Sequence, residues 1–244
     1  MKASTYLRFE LMRNLRNRRF FLFSLGFPLV LYLLIATPNR HETSLAGSGI
    51  SAPLYFMVGL AAFGTMNAVM GTGARISLER SYGWTRQLRL TPLSPRAYLG
   101  TKILTAYLTA MLTIVVLYVA GLSLGVSLSF GRWVEMTALL LVGLLPFAAL
   151  GIALGHLLGV ESLGPVIGGM TALLGFLGGV WFPLGHGVMG DIAQGLPSFW
   201  LVQASHVSLG GQGWGATGWL VVAAWTLAFS SVAAFAYRRD TRRA

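Results

Sequence analysis

The residues of this chain best suited to doing chemistry lie between Arg75 and Lys102, in the run RISLERSYGWTRQLRLTPLSPRAYLGTK. Cations at Arg75, Arg80, Arg86 and Arg89 are interleaved with apolar Ile76, Leu78, Tyr82, Trp84, Leu88 and Leu90. Helical spacing sets Leu78 beside Tyr82 and Trp84 beside Leu88. Side chains of these types recognise a surface; they do not make or break bonds. Gly83 divides the stretch into two short helices, and Thr91-Pro92-Leu93-Ser94-Pro95 closes it, because proline fixes its own φ and disfavours helix in the residue before it. Two surfaces fit such a segment, a cytoplasmic protein or the membrane itself, and amphipathicity alone does not choose between them.

Other chemistries find no matching residues. The chain has no cysteine, which removes disulfides, thiolate metal sites and cysteine nucleophiles. His156, His186 and His206 are spaced like no familiar metal site. There is no G-x-S-x-G and no H-E-x-x-H, and Gly100-Thr101-Lys102 lacks the Gly-Lys-Ser/Thr order of a phosphate-binding loop. The expectation is a non-catalytic chain with no metal or cofactor of its own.

What positions the basic stretch is a set of membrane helices. Of 244 residues, 55% are hydrophobic and only 10% charged, with mean hydropathy +0.68, and the apolar residues fall in runs long enough to cross about 30 Å of hydrocarbon. Six spans are expected near residues 20–37, 53–74, 103–125, 136–159, 163–184 and 214–237, with residues 185–213 as a Gly- and Pro-interrupted outer segment. Six of the eighteen Lys and Arg residues precede the first span, six lie from Arg75 to Lys102, and four close the chain. Cytoplasmic loops carry such an excess, so both termini and the 75–95 loop are placed in the cytoplasm of a cell-membrane protein. The net charge of +11 therefore serves orientation and anionic headgroups, not nucleic acid.

The flanking elements follow. The N-terminal apolar run is longer than a signal-peptide core and lacks a small-x-small cleavage site, so it is read as retained. Leu7, Leu11 and Leu15 recur every four residues within 1–19, which suggests a helix lying in the interface. Trp133, Trp181, Trp200 and Trp214 suit interfacial belts. Small residues at four-residue spacing, such as Gly151 and Gly155 or Gly164 and Gly168, let helices approach closely. No Asp, Glu, Lys or Arg falls inside the six runs, and ion-coupled carriers keep such groups at membrane depth. Transport energy would then come from a partner.

Glu79-Arg80, Gly83 and Leu90-Thr91-Pro92-Leu93-Ser94-Pro95 together resemble the cytoplasmic signature of ABC-2 type permeases, the membrane subunits of ABC exporters. Gly178-Gly179-Val180-Trp181-Phe182-Pro183, followed by Leu196-Pro197, resembles the family's fifth span and the re-entrant segment after it. The resemblance covers nearly the whole chain; the wording Gly83-Trp84-Thr85-Arg86-Gln87-Leu88 departs from the family's commoner acidic sequence there.

The resemblance implies an all-α membrane protein: six transmembrane helices, an N-terminal interfacial helix, a cytoplasmic coupling helix and an extracytoplasmic re-entrant segment. It implies pairing with a second permease copy, identical or related, on two ABC ATP-binding subunits that carry ATP and Mg. Glu79, Arg80, Gly83, Trp84, Arg86, Leu88 and Arg89 would meet the ATPase, and Phe182, Pro183 and Pro197 would belong to an outer gate. An uncharged interior with Met57, Phe63, Met66, Asn67 and Met70 in the second span and Phe176 in the fifth suggests an amphipathic or hydrophobic cargo, as in the daunorubicin-resistance type of drug exporter. Polysaccharide and ion exporters share the fold, and an ATP-independent channel or carrier, or a membrane scaffold, stands as the alternative.

Overall fold

A computed structural model of the chain describes residues 3–17, 22–83, 95–184, 187–209 and 213–243. All regular elements among them are helical. They are α1 (Ala3–Leu15), a π-helical turn (Leu22–Gly26), α2 (Phe27–Ala36), α3 (Ala52–Ser81), α4 (Pro95–Ser123), α5 (Phe130–Gly143), α6 (Leu145–Leu157), α7 (Val160–Leu177), α8 (Val188–Gln194), α9 (Pro197–Gln203) and α10 (Ala216–Arg243). Five helical stretches are long and apolar enough to cross a membrane: α3, α4, α5 with α6, α7 and α10. The apolar stretch Ser24–Ala36 is shorter; its 13 residues reach about 20 Å at 1.5 Å each, against a hydrocarbon core of about 30 Å.

Burial sorts these helices into layers. The most apolar window of α3 is 89% buried, whereas that of α10 is 17% buried and that of α7 is 22% buried. An apolar helix with most of its surface open must face lipid, so α3 is the axis of the bundle and α7 and α10 lie at its rim. Met57, Leu60, Met66, Val69 and Met70 of α3 are buried with Ile114 and Leu117 of α4, Leu140 of α5 and Phe147 of α6.

Close approach of α3 and α6 rests on glycine. A Cβ on Gly73 would come within 2.2 Å of the Gly151 carbonyl oxygen, and one on Gly155 within 2.6 Å of the Gly73 oxygen. The neighbours are backbone and cannot turn aside, so only hydrogen fits at this crossing. Gly151 and Gly155 thus pack within the chain, while Gly164 and Gly168 of α7 meet nothing within 4 Å.

Several boundaries move from their sequence-based positions. Residues 75–81, expected in the loop, continue α3, because Ile76, Ser77 and Glu79 are buried against other helices. Gly83, expected to split a surface helix, sits just past the end of α3 at φ 67°, and its N–H bonds the Arg80 carbonyl at 3.0 Å; a residue with a Cβ is strained there. α4 starts at Pro95, about two turns before the expected 103. The span expected near 136–159 is broken at Leu144 between α5 and α6, where Pro146 supplies no N–H to the helical ladder.

Two further findings concern the ends. α1, expected as an interfacial helix, presents one face to the bundle. It carries buried Tyr6 and Glu10, with exposed Phe9 and Met12 facing away. Between α7 and α10, α8, α9 and a 3₁₀ turn (Ala204–Leu209) fold back onto the bundle. Trp200 and Trp214, expected as interfacial anchors, are buried there, and their indole N–H groups donate to the carbonyls of Gln194 at 2.9 Å and Trp200 at 2.6 Å. Two tryptophans with satisfied N–H groups belong in a core.

Gly73→Ala should destabilise the chain by about 1–3 kcal/mol through overpacking. Gly100→Ala, on α4 where a Cβ meets open space, should be neutral or stabilising by up to about 1 kcal/mol. Unfolding of the two variants in mixed detergent micelles checks the contrast, and equal effects would contradict the crossing.

Candidate functional site

Three i,i+4 pairs on three segments converge below the core: Tyr6 and Glu10 on α1, Arg75 and Glu79 on α3, and Tyr98 and Lys102 on α4. The side chains at i and i+4 share one helix face, so each segment presents a compact polar patch. Lys102 is 1% exposed, and its Nζ lies 2.6 Å from Glu10 Oε1 and 2.6 Å from Glu79 Oε1. Arg13 on the rim donates to the same two oxygens, at 3.0 Å and 2.5 Å. The Tyr98 hydroxyl donates to Glu79 Oε2 at 2.6 Å, and Arg75 Nη1 approaches Glu10 Oε1 at 3.9 Å. The ammonium also lies 5.9 Å and 5.4 Å from the ring centres of Tyr6 and Tyr98, within cation–π range.

Electrostatics explains the composition of this knot. An isolated buried ammonium costs several kcal/mol, and two carboxylates sharing it repel each other unless further cations lie near. Three cations face two carboxylates, which leaves no acid unpaired. Burial, followed by the charges of Glu79 and Glu10, pushes the Tyr6 phenol well above its ordinary pKa. Burial alone would lower Arg13, but its hydrogen bond to Glu79 and the charges of Glu10 and Glu79 outweigh that and raise it. Tyr6 stays neutral and Arg13 stays charged throughout the working pH range.

A second knot sits one residue further along α3. Arg80 Nε lies 2.8 Å from Asp240 Oδ2 of α10, and His156 Nδ1 of α6 lies 3.0 Å from the same oxygen. Arg80 Nη1 also donates to the Gly155 carbonyl at 2.9 Å, and Tyr237 meets the His156 ring edge-on at 5.3 Å. Consecutive residues on a helix are about 100° apart. Glu79 therefore ties α3 to α1 and α4, and Arg80 ties it to α6 and α10. The two knots together hold five helices in register.

Of the residues assigned to an ATPase contact, Glu79 and Arg80 point into the bundle and Gly83 ends α3; Trp84, Arg86, Leu88 and Arg89 lie outside the described residues. At the other end, α7 closes with Val180 N–H on Gly175 O at 3.0 Å and Gly179 N–H on Phe176 O at 3.2 Å, Gly179 being left-handed at φ 78°. The Tyr55 hydroxyl donates to the Gly179 carbonyl. Pro183 joins Tyr55 and His206 around a small cavity of about 100 Å³. Phe182 instead stacks edge-on against Phe176 at 5.2 Å, and Pro197 starts α9. Met57, Met66 and Met70 are fully buried in helix contacts. Phe63 packs on Trp181 at 5.4 Å, Asn67 bonds the Phe63 carbonyl at 3.1 Å, and Phe176 is exposed.

Glu10, Lys102, Tyr98, His156 and Asp240 carry the two knots, and sequence reading assigned none of them to a site. The signal was present in the i,i+4 placement of opposite charges and tyrosines at the ends of three segments.

A family model described as ABC-2 family transporter protein matches residues 36–236. The chain belongs to the ABC-2 transporter family. The matched region holds α3 to α9 and most of α10, including Glu79, Arg80, Lys102 and His156 of the knots, while Glu10, Arg13 and Asp240 lie outside it; the family's partner in general is an ABC ATPase. A Bacillus subtilis (strain 168) relative named "Putative transport permease YvfS" is 31% identical over 194 residues, 78% of each chain. No solved structure matches. The ABC-2 chain is thus a multi-pass transporter membrane subunit.

Lys102→Met should cost about 3–5 kcal/mol, because it leaves two carboxylates without their shared buried cation. Adding Glu79→Gln should recover part of that loss, with a coupling of about 0.5–3 kcal/mol in a double-mutant cycle. Unfolding in mixed micelles measures both; strictly additive losses would mean the two groups do not interact.

Proposed function

We propose that this chain is the permease subunit of an ATP-driven exporter that moves an amphipathic or hydrophobic compound out of the cytoplasm or inner leaflet. The observation that supports it most is the meeting of family membership with the hub at the inner end of α3. That hub adjoins residues 84–94, whose cationic and aromatic composition suits a protein groove. A push on these residues is delivered to α3 at Glu79 and Arg80, and so to α1, α4, α6 and α10 together. Rigid elements joined this way move as a unit when a partner biases one of two packings.

In this reading Ser24–Ala36 is the first of six spans and both termini are cytoplasmic. Two ATP-binding subunits carry ATP and Mg, and a second permease copy, identical or related, packs beside this one. The exposed side chains of Phe27 on α2, Leu173 and Phe176 on α7 and Phe182 just beyond it are available for that copy and for cargo. Pro183, Phe182 and residues 185–197 form the outer gate, opposite Tyr55. The uncharged lining favours a drug-like or lipid-like cargo over an ion, as in the drug-exporting group that the signature resembles.

The full chain captured from membranes should retain an ATP-binding protein, and Trp84→Ala or Arg86→Glu should reduce that retention about tenfold. In proteoliposomes, uphill efflux of a hydrophobic cation should need both the ATP-binding subunit and ATP. Uphill flux by the lone chain would sink the proposal in favour of a self-sufficient carrier, and retention unchanged by either substitution would remove residues 84–94 as the docking segment.

A further inference from the structure

Between α4, α6 and α10, away from α2 and α7, a groove of about 360 Å³ opens on the side of the bundle. Its cause is a row of small side chains. On α10, Thr226, Ser230, Ala233, Ala234 and Tyr237 follow the helical repeat and face Ala148, Ala149 and Ile152 of α6. Short side chains on both helices leave a channel along the crossing that neither fills. Its walls are almost entirely apolar, and the one threonine hydroxyl is spent on the Val222 carbonyl at 2.6 Å.

The groove has a polarity. From Thr226 to Arg238 it runs along twelve residues of α10, about 18 Å at 1.5 Å each. One leaflet of hydrocarbon is about 15 Å thick, half of about 30 Å. The groove therefore extends from near mid-membrane to one surface, and the end at that surface is lined by Arg238. An adjoining cavity of about 140 Å³ adds Arg80, Arg239 and Asp240. Asp240 already receives Arg80 and His156, so even with Arg238 left out the arginines outnumber the carboxylate among the described residues of this cavity, and the mouth carries excess positive charge.

We propose that this groove holds one acyl chain of an anionic glycerophospholipid, with its phosphate at Arg238. A leaflet-long apolar slot accepts the chain and excludes water. A cationic mouth at headgroup depth selects the anionic headgroup over a zwitterionic one, as basic pockets between membrane helices do. The occupant comes from the leaflet that meets the arginines, so the site does not depend on which side of the membrane that is, or on the reading of the chain as an exporter. The lipid fills the seam between α6 and α10 and supports the Arg80–Asp240 knot at its end.

Native mass spectrometry of the purified full chain, loaded with equal amounts of palmitoyl-oleoyl phosphatidylglycerol and the matching phosphatidylcholine, tests this. Wild type should retain phosphatidylglycerol preferentially. Arg238→Gln should weaken that retention about five-fold, the effect of one basic residue near a headgroup, and equalise the two lipids. Ala149→Leu, which fills the slot without touching charge, should lower retention of both, with helical circular dichroism unchanged. Equal retention of the two lipids by wild type, or unchanged phosphatidylglycerol retention in either variant, overturns the proposal. Displacement of the lipid by an equal concentration of a neutral amphiphile also overturns it, and assigns the groove to cargo.

Discussion

A single buried ammonium sets the terms for the rest of this molecule. Lys102 has almost no contact with solvent, and leaving it alone at the edge of a membrane bundle costs several kcal/mol. It is tolerable only if Glu10 and Glu79 both stay within 2.6 Å. That demand fixes α1 and the inner turn of α3 relative to α4. The two carboxylates in turn need Arg13, Tyr98 and the nearby Arg75, so the helices cannot slide past one another without exposing an unpaired charge to lipid. Apolar packing between membrane helices supplies no comparable register, because lipid tails compete equally for the same side chains.

α3 conveys this constraint across the bundle. Its inner end carries the adjacent tethers at Glu79 and Arg80. Its middle is pressed against α6 at Gly73, Gly151 and Gly155. Near its N-terminal end the Tyr55 hydroxyl holds the carbonyl of Gly179, the residue that stops α7. One thirty-residue helix therefore joins the base, the glycine crossing and the outer turn. A displacement applied at Ser81 has no soft joint in which to be absorbed before the far end, since neither proline nor left-handed glycine interrupts the helix after its first turn.

Much of this architecture was legible because membrane helices write themselves as long apolar runs. Residues 53–74 and 103–125 mark α3 and α4, and the pairing of arginines with the ends of runs is visible without coordinates. The α3 extension was hidden by its own charges: Arg75, Glu79 and Arg80 read as solvent-facing because a linear sequence does not show that Glu10, Lys102 and Asp240 respectively neutralise them. Trp200 and Trp214 misled for the same reason, since burial depends on carbonyl acceptors six and fourteen residues away, respectively, in a folded-back segment. The inward face of α1 was hidden too, because a linear sequence does not show that Glu10 meets Lys102, and a buried charge pair sets that face where lipid accepts a leucine as readily as protein does.

The distribution of tethers also divides the bundle into a fixed part and a freer part. The two knots join α1, α3, α4, α6 and α10. α7 receives no ion pair among the described residues, packs little of its surface, and leaves Gly164 and Gly168 facing open space. Its attachment runs along one face, through Leu163, Ile167 and Thr171 in the core, to Gly178 and Gly179 on Ser198 and Tyr55. A helix held by apolar contacts alone shifts more cheaply than one held by buried charges, because lipid tails replace an apolar neighbour and cannot replace a charge partner. In the proposed exporter α7 is then the element that moves relative to the tethered bundle. Its open side bears Phe176, with Phe182 just beyond, so access to that side changes while the charge knots stay intact.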